Sequence, residues 1–420
     1  MSLAKKWNLC IVLFLATVLN YLDRQTMSIL APSLQRQLHL DNEALGWLFA
    51  VFYYAYTFSQ MAVGPILDRV SLRWSFACAV FLWSLVSVLT GLANGFVALL
   101  SFRLFLGMVE SANWPGGMRV MSRIMNARER TLGNGIFTSG TSVAALVAPG
   151  LILGIAAYFG WRGAFVLIGS LGVFWIAVWI FMTRGAEFAH IWHEPAKPEA
   201  KGLAGQGRIF MTIIRSPSFL PVLAIAVLVN PALYFSVNWL PTYFVQQRGL
   251  SPGHQMAWIL TAIYLGLDVG NIACGSVILT LTRYGASVNS ARRTIFVVAT
   301  LGVACCAAVP LLPMGLAVAG LVSVNFGLGI WVAVYLTLAQ EVSATHVSTA
   351  IGILSGCGSL AGAVAMWWVG RVTRQTGSFA LPMGAVALAA VISALAAWIV
   401  SKNVEPTGGN KLEPTEELIA

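Results

Sequence analysis

NLCIVLFLATVLNYLDRQTMSIL (residues 8–30) is long and apolar enough to cross a bilayer as a helix, yet it carries Asp23 and Arg24 about two-thirds of the way along. Similar stretches follow one another as far as Val400. The 420-residue chain is 58% hydrophobic and 10% charged, against roughly a quarter charged in soluble domains. The pattern reads as a polytopic helical membrane protein with no room for a sizeable soluble domain. The basic start resembles a signal peptide, but no small-residue cleavage site follows. The apolar run also continues past the charged pair, so it reads as a first span.

A 19-residue window predicts twelve spans. They lie at 8–30, 45–67, 73–92, 96–118, 132–157, 161–183, 218–246, 254–281, 294–313, 315–339, 347–370 and 380–401. The one long interruption, rich in Pro, Gly, Lys and Arg, divides them six and six. The expected domains are a six-helix bundle at 1–183, a cytoplasmic linker loop at 184–217, a second bundle at 218–401 and a disordered cytoplasmic tail at 402–420. A faint repeat supports the division: Trp47 matches Trp258, Tyr53 matches Tyr264 and Gly64 matches Gly275, each offset by 211 residues. Parallel repeats of this kind place a substrate site between the halves, near the bilayer midplane. The fold class is therefore all-α, with twelve transmembrane helices in two six-helix bundles around a central cavity.

Lys and Arg set the orientation. Loops on the side of the N-terminus hold most of them, from Lys5 and Lys6 to Lys402 and Lys411. The opposite loops hold only Arg36, Arg162, Arg248, Arg371 and Arg374. The bias predicts both termini in the cytoplasm of a multi-pass protein of the cell (inner) membrane. It also accounts for the net charge of +10 without nucleic-acid binding. The six cysteines lie in apolar segments with no metal-ligand spacing.

Six charges fall inside spans: Asp23, Arg24, Arg103, Glu110, Arg119 and Asp268. At about 2.5–3.5 kcal/mol each they are tolerable only facing one another or a polar cavity. Arg119 lies near a span end and either snorkels or packs structurally. Asp23, Arg24 and Arg103 lie at one level, roughly 10 Å below the outer surface, and Glu110 lies near the midplane. Arg103 and Glu110 are two turns apart on one helix face, with Gly107 between them leaving room for a neighbouring helix. One arrangement pairs Asp23 with Arg103, freeing Arg24 to grip a carboxylate through its planar fork. Glu110 then has no cation one turn away, and hydrocarbon disfavours its charged form, which makes it the candidate proton carrier. The alternative is a closed ion-pair network that only locks packing. Asp268 is either a second titrating group, a neutral acid bonding substrate hydroxyls, or a satisfied structural acid. Gly266, Gly270 and Gly275 around it suggest close helix contact. Tyr56 and Gln60 share a face at midspan, and Asn238 with Trp239 sits in a proline-bent span between Pro231 and Pro241. These groups suit a polyhydroxylated ligand, though a kink alone also explains the second set.

GPILDRVSLR (Gly64 to Arg73) resembles the loop motif of the major facilitator superfamily, and RLFLG (Arg103 to Gly107) its span-4 motif. The resemblance implies a conformational latch built from Asp68, Arg69 and Arg73. The matching loop of the second half lacks the Asp, so a second latch there is absent or made differently. NYLDR, RLFLGMVESANWPGG, NARERTLGNGIFTSG and NWLPTYFVQQRGL resemble the anion:cation symporter family, which includes bacterial sugar-acid carriers. By that resemblance Arg24 binds the substrate carboxylate, Asp23 and Glu110 take up protons, and Arg103 couples them. Tyr56, Gln60, Asn238 and Trp239 line the pocket, and Asp268 is grouped with the proton-coupling residues. Thr141 stands where galactonate-type carriers have an amide, and LGLDVGN with SVNSARR is similar to the hexuronate branch.

The implied function is proton-coupled uptake of a hexuronate or related sugar-acid anion by alternating access, working as a monomer. No cofactor is implied, and H⁺ is the expected coupling ion, with Na⁺ left open. A proton-driven exporter of organic anions or drugs is the second reading on the same fold. An enzyme is disfavoured: His39, His190, His193, His254 and His346 lie in loops or at span ends, with no HExxH and no nucleophile elbow.

Overall fold

In a bilayer, backbone N–H and C=O groups must pair within the chain, so long apolar segments settle as helices. The computed structural model describes residues 3–69, 71–184, 210–342 and 347–403, and every labelled element among them is helical. In chain order these are α1 (Leu3–Leu38), α2 (Asn42–Arg69), α3 (Leu72–Gly91), α4 (Phe96–Glu110), α5 (Asn113–Ile124) and α6 (Ala127–Met182). The second part holds α7 (Phe219–Arg248), α8 (His254–Arg283), α9 (Val288–Ala304), α10 (Met314–Glu341), α11 (Val347–Thr376) and α12 (Ala380–Asn403). Among the described residues, nine helices are long and apolar enough to span a membrane. The chain is a multi-pass membrane protein.

Two details refine the window reading. The fourth predicted span, 96–118, runs on as one span to Ile124, with its hydrogen-bond ladder interrupted between Glu110 and Asn113. Pro115 lacks the N–H that would continue the ladder there. The fifth and sixth predicted spans are two helices within Ala127–Met182 that meet at a kink, where Gly160 alone is non-helical (φ 66°, ψ 178°). That conformation is open to glycine and strained for other residues. At its start, Asn126 accepts from the Glu129 N–H and Glu129 accepts from the Asn126 N–H, a reciprocal cap. Lys6 of α1 also reaches Glu129 at 3.1 Å. Together these bonds, Lys6 first, hold the Glu129 carboxyl below its usual range.

In the first half α1 and α3 pack on α6, and α2 packs on α4. In the second half α8 and α9 pack on α10, and α12 on α7. Three pairings cross between halves: α2 with α11, α6 with α8, and α1 with α7. One group of cross-half bonds lies where α1 turns into α2. Gln246 of α7 bonds Gln35 and Asn42 at 3.2 and 2.9 Å, and Arg374 of α11 reaches Asp41 and Glu43 at 3.0 and 2.6 Å. Beneath them a side chain at Gly370 would meet the carbonyl of Asn42 and the Cα of Gly46, so α2 and α11 touch through bare backbone. Trp47 and Trp367 flank the contact at 6.0 Å. This end is sealed.

Close approach also sets the depth of α4. A Cβ on Gly107 would overlap the carbonyl of Phe52 on α2. Gly107→Val should therefore cost about 1–3 kcal/mol by forcing the helices apart. Thermal unfolding of the purified protein should show this as a melting temperature several degrees lower. An unchanged melting curve would mean that α4 can sit elsewhere.

Of the expected linker and tail, residues 185–209 and 404–420 lie outside the described residues. The side chains of Asp68 and Arg69 do too. Arg73 donates to the carbonyl of Ile180 at 3.1 Å and lies over the Trp74 ring.

Candidate functional site

The charged residues read from α1 and α4 meet in the interior of the first half. Arg24 Nε donates to Glu110 Oε2 at 2.6 Å, with the Glu110 side chain fully buried and that of Arg24 14% exposed. The Arg24 guanidinium lies 4.4 Å from the ring centre of Tyr56, 4.8 Å from Tyr21 and 5.3 Å from Phe52. Arg103 is buried with its guanidinium 4.5 Å from the same Phe52 ring, and its Nε points to the carbonyl of Leu48 at 3.4 Å. Phe52 thus offers a π face to both cations, a favourable contact in a desolvated site.

These partners differ from the arrangement that joins Asp23 to Arg103. Asp23 instead accepts from Ser87 Oγ of α3 at 2.8 Å. Glu110 has a cation after all, supplied by α1. The reason is geometric. Spacing along one helix gives depth and face, but the crossing of α1 over α4 decides which base meets which acid. Ser87 carried no signal, being one small polar residue in an apolar run.

Tyr56 is buried beside Arg24, whereas Gln60, one turn on, is exposed. Asn238 is buried and fully engaged. Its Oδ1 accepts from Ser28 at 2.9 Å, and its Nδ2 donates to Tyr53 OH at 3.0 Å and to the carbonyl of Tyr234 at 2.8 Å. Tyr53 stacks on Tyr234 across the halves with ring centres 3.9 Å apart, and Tyr234 OH shares a hydrogen with Ser359 Oγ at 3.1 Å. Tyr53 and Tyr234 stood in quoted stretches, but nothing in either stretch alone pairs them. Trp239 is 0% exposed, edge-on to Phe49 and Phe379. It sits within an aromatic wall on the side of the sealed end.

Asp268 of α8 accepts from Ser142 of α6 at 2.6 Å, so it bonds across the halves. Side chains at Gly266 and Gly270 would run into the carbonyls of Val322 and Phe326 on α10. Nothing lies near Gly275. Arg119 is partly buried on α5.

Two buried acids, buried Arg103 and half-buried Arg24 therefore gather inside the first half, and a cluster of tyrosines joins them to the seam with the second half. Such an arrangement can hold an anion at an arginine and exchange a proton at a carboxylate.

Comparisons with known proteins agree with this architecture. Residues 13–366 match the family model described as Major Facilitator Superfamily. The chain is 28% identical over 415 residues to the hexuronate transporter of Bacillus subtilis (strain 168), covering 94% of each protein. It is 26% identical over 433 residues to the probable galactarate/D-glucarate transporter of the same organism, covering 93% of this chain and 91% of that one. A solved bacterial homolog of the human lysosomal transporter Spinster, inward-facing and occupied, superimposes with a TM-score of 0.77 at 17% identity, covering 96% of this chain and 98% of that one. A match over most of the sequence, on an all-helical membrane fold with this interior, has one reading: the chain belongs to the Major Facilitator Superfamily, a family of transporters and not of enzymes.

Proposed function

We propose that this protein imports a sugar-acid anion, a hexuronate or a close relative, together with protons. The observation that carries the reading is the buried 2.6 Å contact between Arg24 and Glu110. A guanidinium held by a carboxylate is available to a substrate carboxylate only when the first is neutralised. Protonating Glu110 does that. The proton and the anion thus favour the same rearrangement, and ligand binding shifts the population of states by differential affinity. The names of the relatives, a hexuronate and a galactarate/D-glucarate transporter, support the substrate class.

In this reading α4 and α5 form one span and α6 forms two at Gly160, giving twelve spans in two six-helix bundles. The Lys/Arg bias puts both termini in the cytoplasm of the cell membrane, so the sealed end faces outward. Arg24 grips the anion, with Tyr56 against its guanidinium and Gln60 one turn below. Asn238 becomes available to the sugar only when its bonds to Ser28 and Tyr53 part, and Trp239 backs that wall. Asp23, Arg103 and Asp268 complete the proton-coupling set, and Arg73 belongs to the latch with Asp68 and Arg69. One copy of the chain suffices, no cofactor takes part, and H⁺ is the coupling ion in preference to Na⁺.

Reconstituted into liposomes, the protein should accumulate labelled galacturonate or glucuronate against its gradient when an inward proton gradient is imposed. Addition of a protonophore should abolish accumulation. Expulsion of the label under the same gradient, or accumulation that follows Na⁺ alone, would overturn the reading.

A further inference from the structure

One buried polar feature has no part in the mechanism above. Along α1, Thr17, Asn20 and Arg24 follow at intervals of three and four residues and share a face. Opposite stand Glu110, the last residue of α4, and Asn113, the first of α5. Two bonds tie these faces together: Arg24 to Glu110 at 2.6 Å, and Asn113 Nδ2 to Thr17 Oγ1 at 3.4 Å. Asn20 lies between the ties and is 0% exposed. Neither atom of its amide has a hydrogen-bond partner among the described residues. The same holds for Asn113 Oδ1, Glu110 Oε1 and Arg24 Nη2.

Buried amides and carboxylates in folded proteins are almost always bonded, and an apolar residue at position 20 would avoid the cost of this one. The backbone adds to the pattern, because Pro115 offers no N–H to the carbonyl of Ser111 at the break between α4 and α5. The unmet atoms include both donors and acceptors. A sodium ion would serve the oxygens but repel the Asn20 and Arg24 N–H groups, whereas water serves both kinds.

We propose that Asn20 holds an internal water, or a short file of waters, between Glu110 and the Thr17–Asn113 pair, through which the coupled proton leaves Glu110 toward the N-terminal end of α1. This rests on the reading that Glu110 carries that proton. The O–H bond at Glu110 Oε1 breaks as one forms on the adjoining water. That water passes one of its own protons onward, and the carboxylate left behind takes Arg24 back. Asn20 touches no substrate; it is a positioning residue for the water. The groups facing Glu110 are Arg24 and Asp23 of α1, Tyr56 of α2 and Arg103 of α4, with Tyr21 lying against Arg24. Asn20 is neutral, so replacing it alters none of their charges.

The test compares Asn20→Leu, which fills the space with an apolar side chain, with Asn20→Ser, which keeps a polar group and leaves more room. Each is reconstituted and measured for proton-driven accumulation and for exchange of labelled against unlabelled galacturonate. Asn20→Leu should lower accumulation at least tenfold while exchange stays within about twofold of the parent. Asn20→Ser should restore accumulation and keep its pH profile. Should Asn20→Leu fail to fold, Asn20→Ser alone decides: normal accumulation that is slowed about twofold in D₂O supports the water route, and lost accumulation overturns it. Normal accumulation by folded Asn20→Leu, with Glu110→Gln still uncoupled, refutes the route and leaves the proton reading standing. If Glu110→Gln accumulates substrate normally, it is the reading of Glu110 that fails. Loss of exchange in folded Asn20→Leu would assign Asn20 to the substrate, and restoration by Na⁺ would make this a cation site; either overturns the proposal.

Discussion

Arg24→Ala is expected to abolish exchange and net uptake together. The guanidinium is the half-buried cation poised to receive a carboxylate, and its present partner Glu110 is wholly buried. Breaking a buried pair by removing one member costs about 3–5 kcal/mol, since the other charge is stranded. A comparable loss in substrate binding is about two to three and a half decades in affinity. Arg24→Lys should recover little, because an ammonium cannot reproduce the planar fork or its contacts with the rings of Tyr21 and Tyr56. The variant should also melt early. Adding Glu110→Gln to it should recover part of that stability without recovering transport, which separates folding from function. Exchange at the parental rate in a folded Arg24→Ala protein would remove Arg24 from the substrate site.

Glu110→Gln is expected to split the two activities. Glutamine keeps the shape of the side chain, carries no charge and cannot deliver a proton at working pH. Arg24 is then permanently released to the anion, so exchange should persist and the apparent substrate affinity should rise. Accumulation should vanish. A carrier that moves one proton with one monoanion reaches about a tenfold concentration ratio per pH unit. The variant should only equalise concentrations, and its exchange rate should lose the pH dependence of the parent. Accumulation that survives the substitution would move the proton to Asp23 or Asp268.

The interior charges were legible because hydrocarbon makes them costly, so each of Asp23, Arg24, Arg103, Glu110 and Asp268 stood out from its window. Depth followed from rise per residue. The partners did not, because they depend on how two helices cross and on small groups such as Ser87 and Ser142, which leave no mark in hydropathy. The spans were legible for the same reason as the charges. A window nineteen residues wide, however, averages across a two-residue gap, so the break after Glu110 was invisible although Pro115 was in plain view. Asn238 illustrates the reverse: its type and depth suggested a sugar ligand, while its neighbours occupy every donor it has.

The clasp between α2 and α11 has a bearing on how the carrier turns over. Arg374 of α11, which forms its ion pairs, has a side chain 55% exposed, and pairs in such positions contribute little in saline. What holds the helices is the meeting of Gly46 and Gly370, whose attraction dies within an ångström or two of separation. A fastening without reach exerts no pull on a half-opened seam. Under the proposed import cycle the two shapes should then be discrete, with the molecule hopping between shut and ajar and leaking correspondingly little.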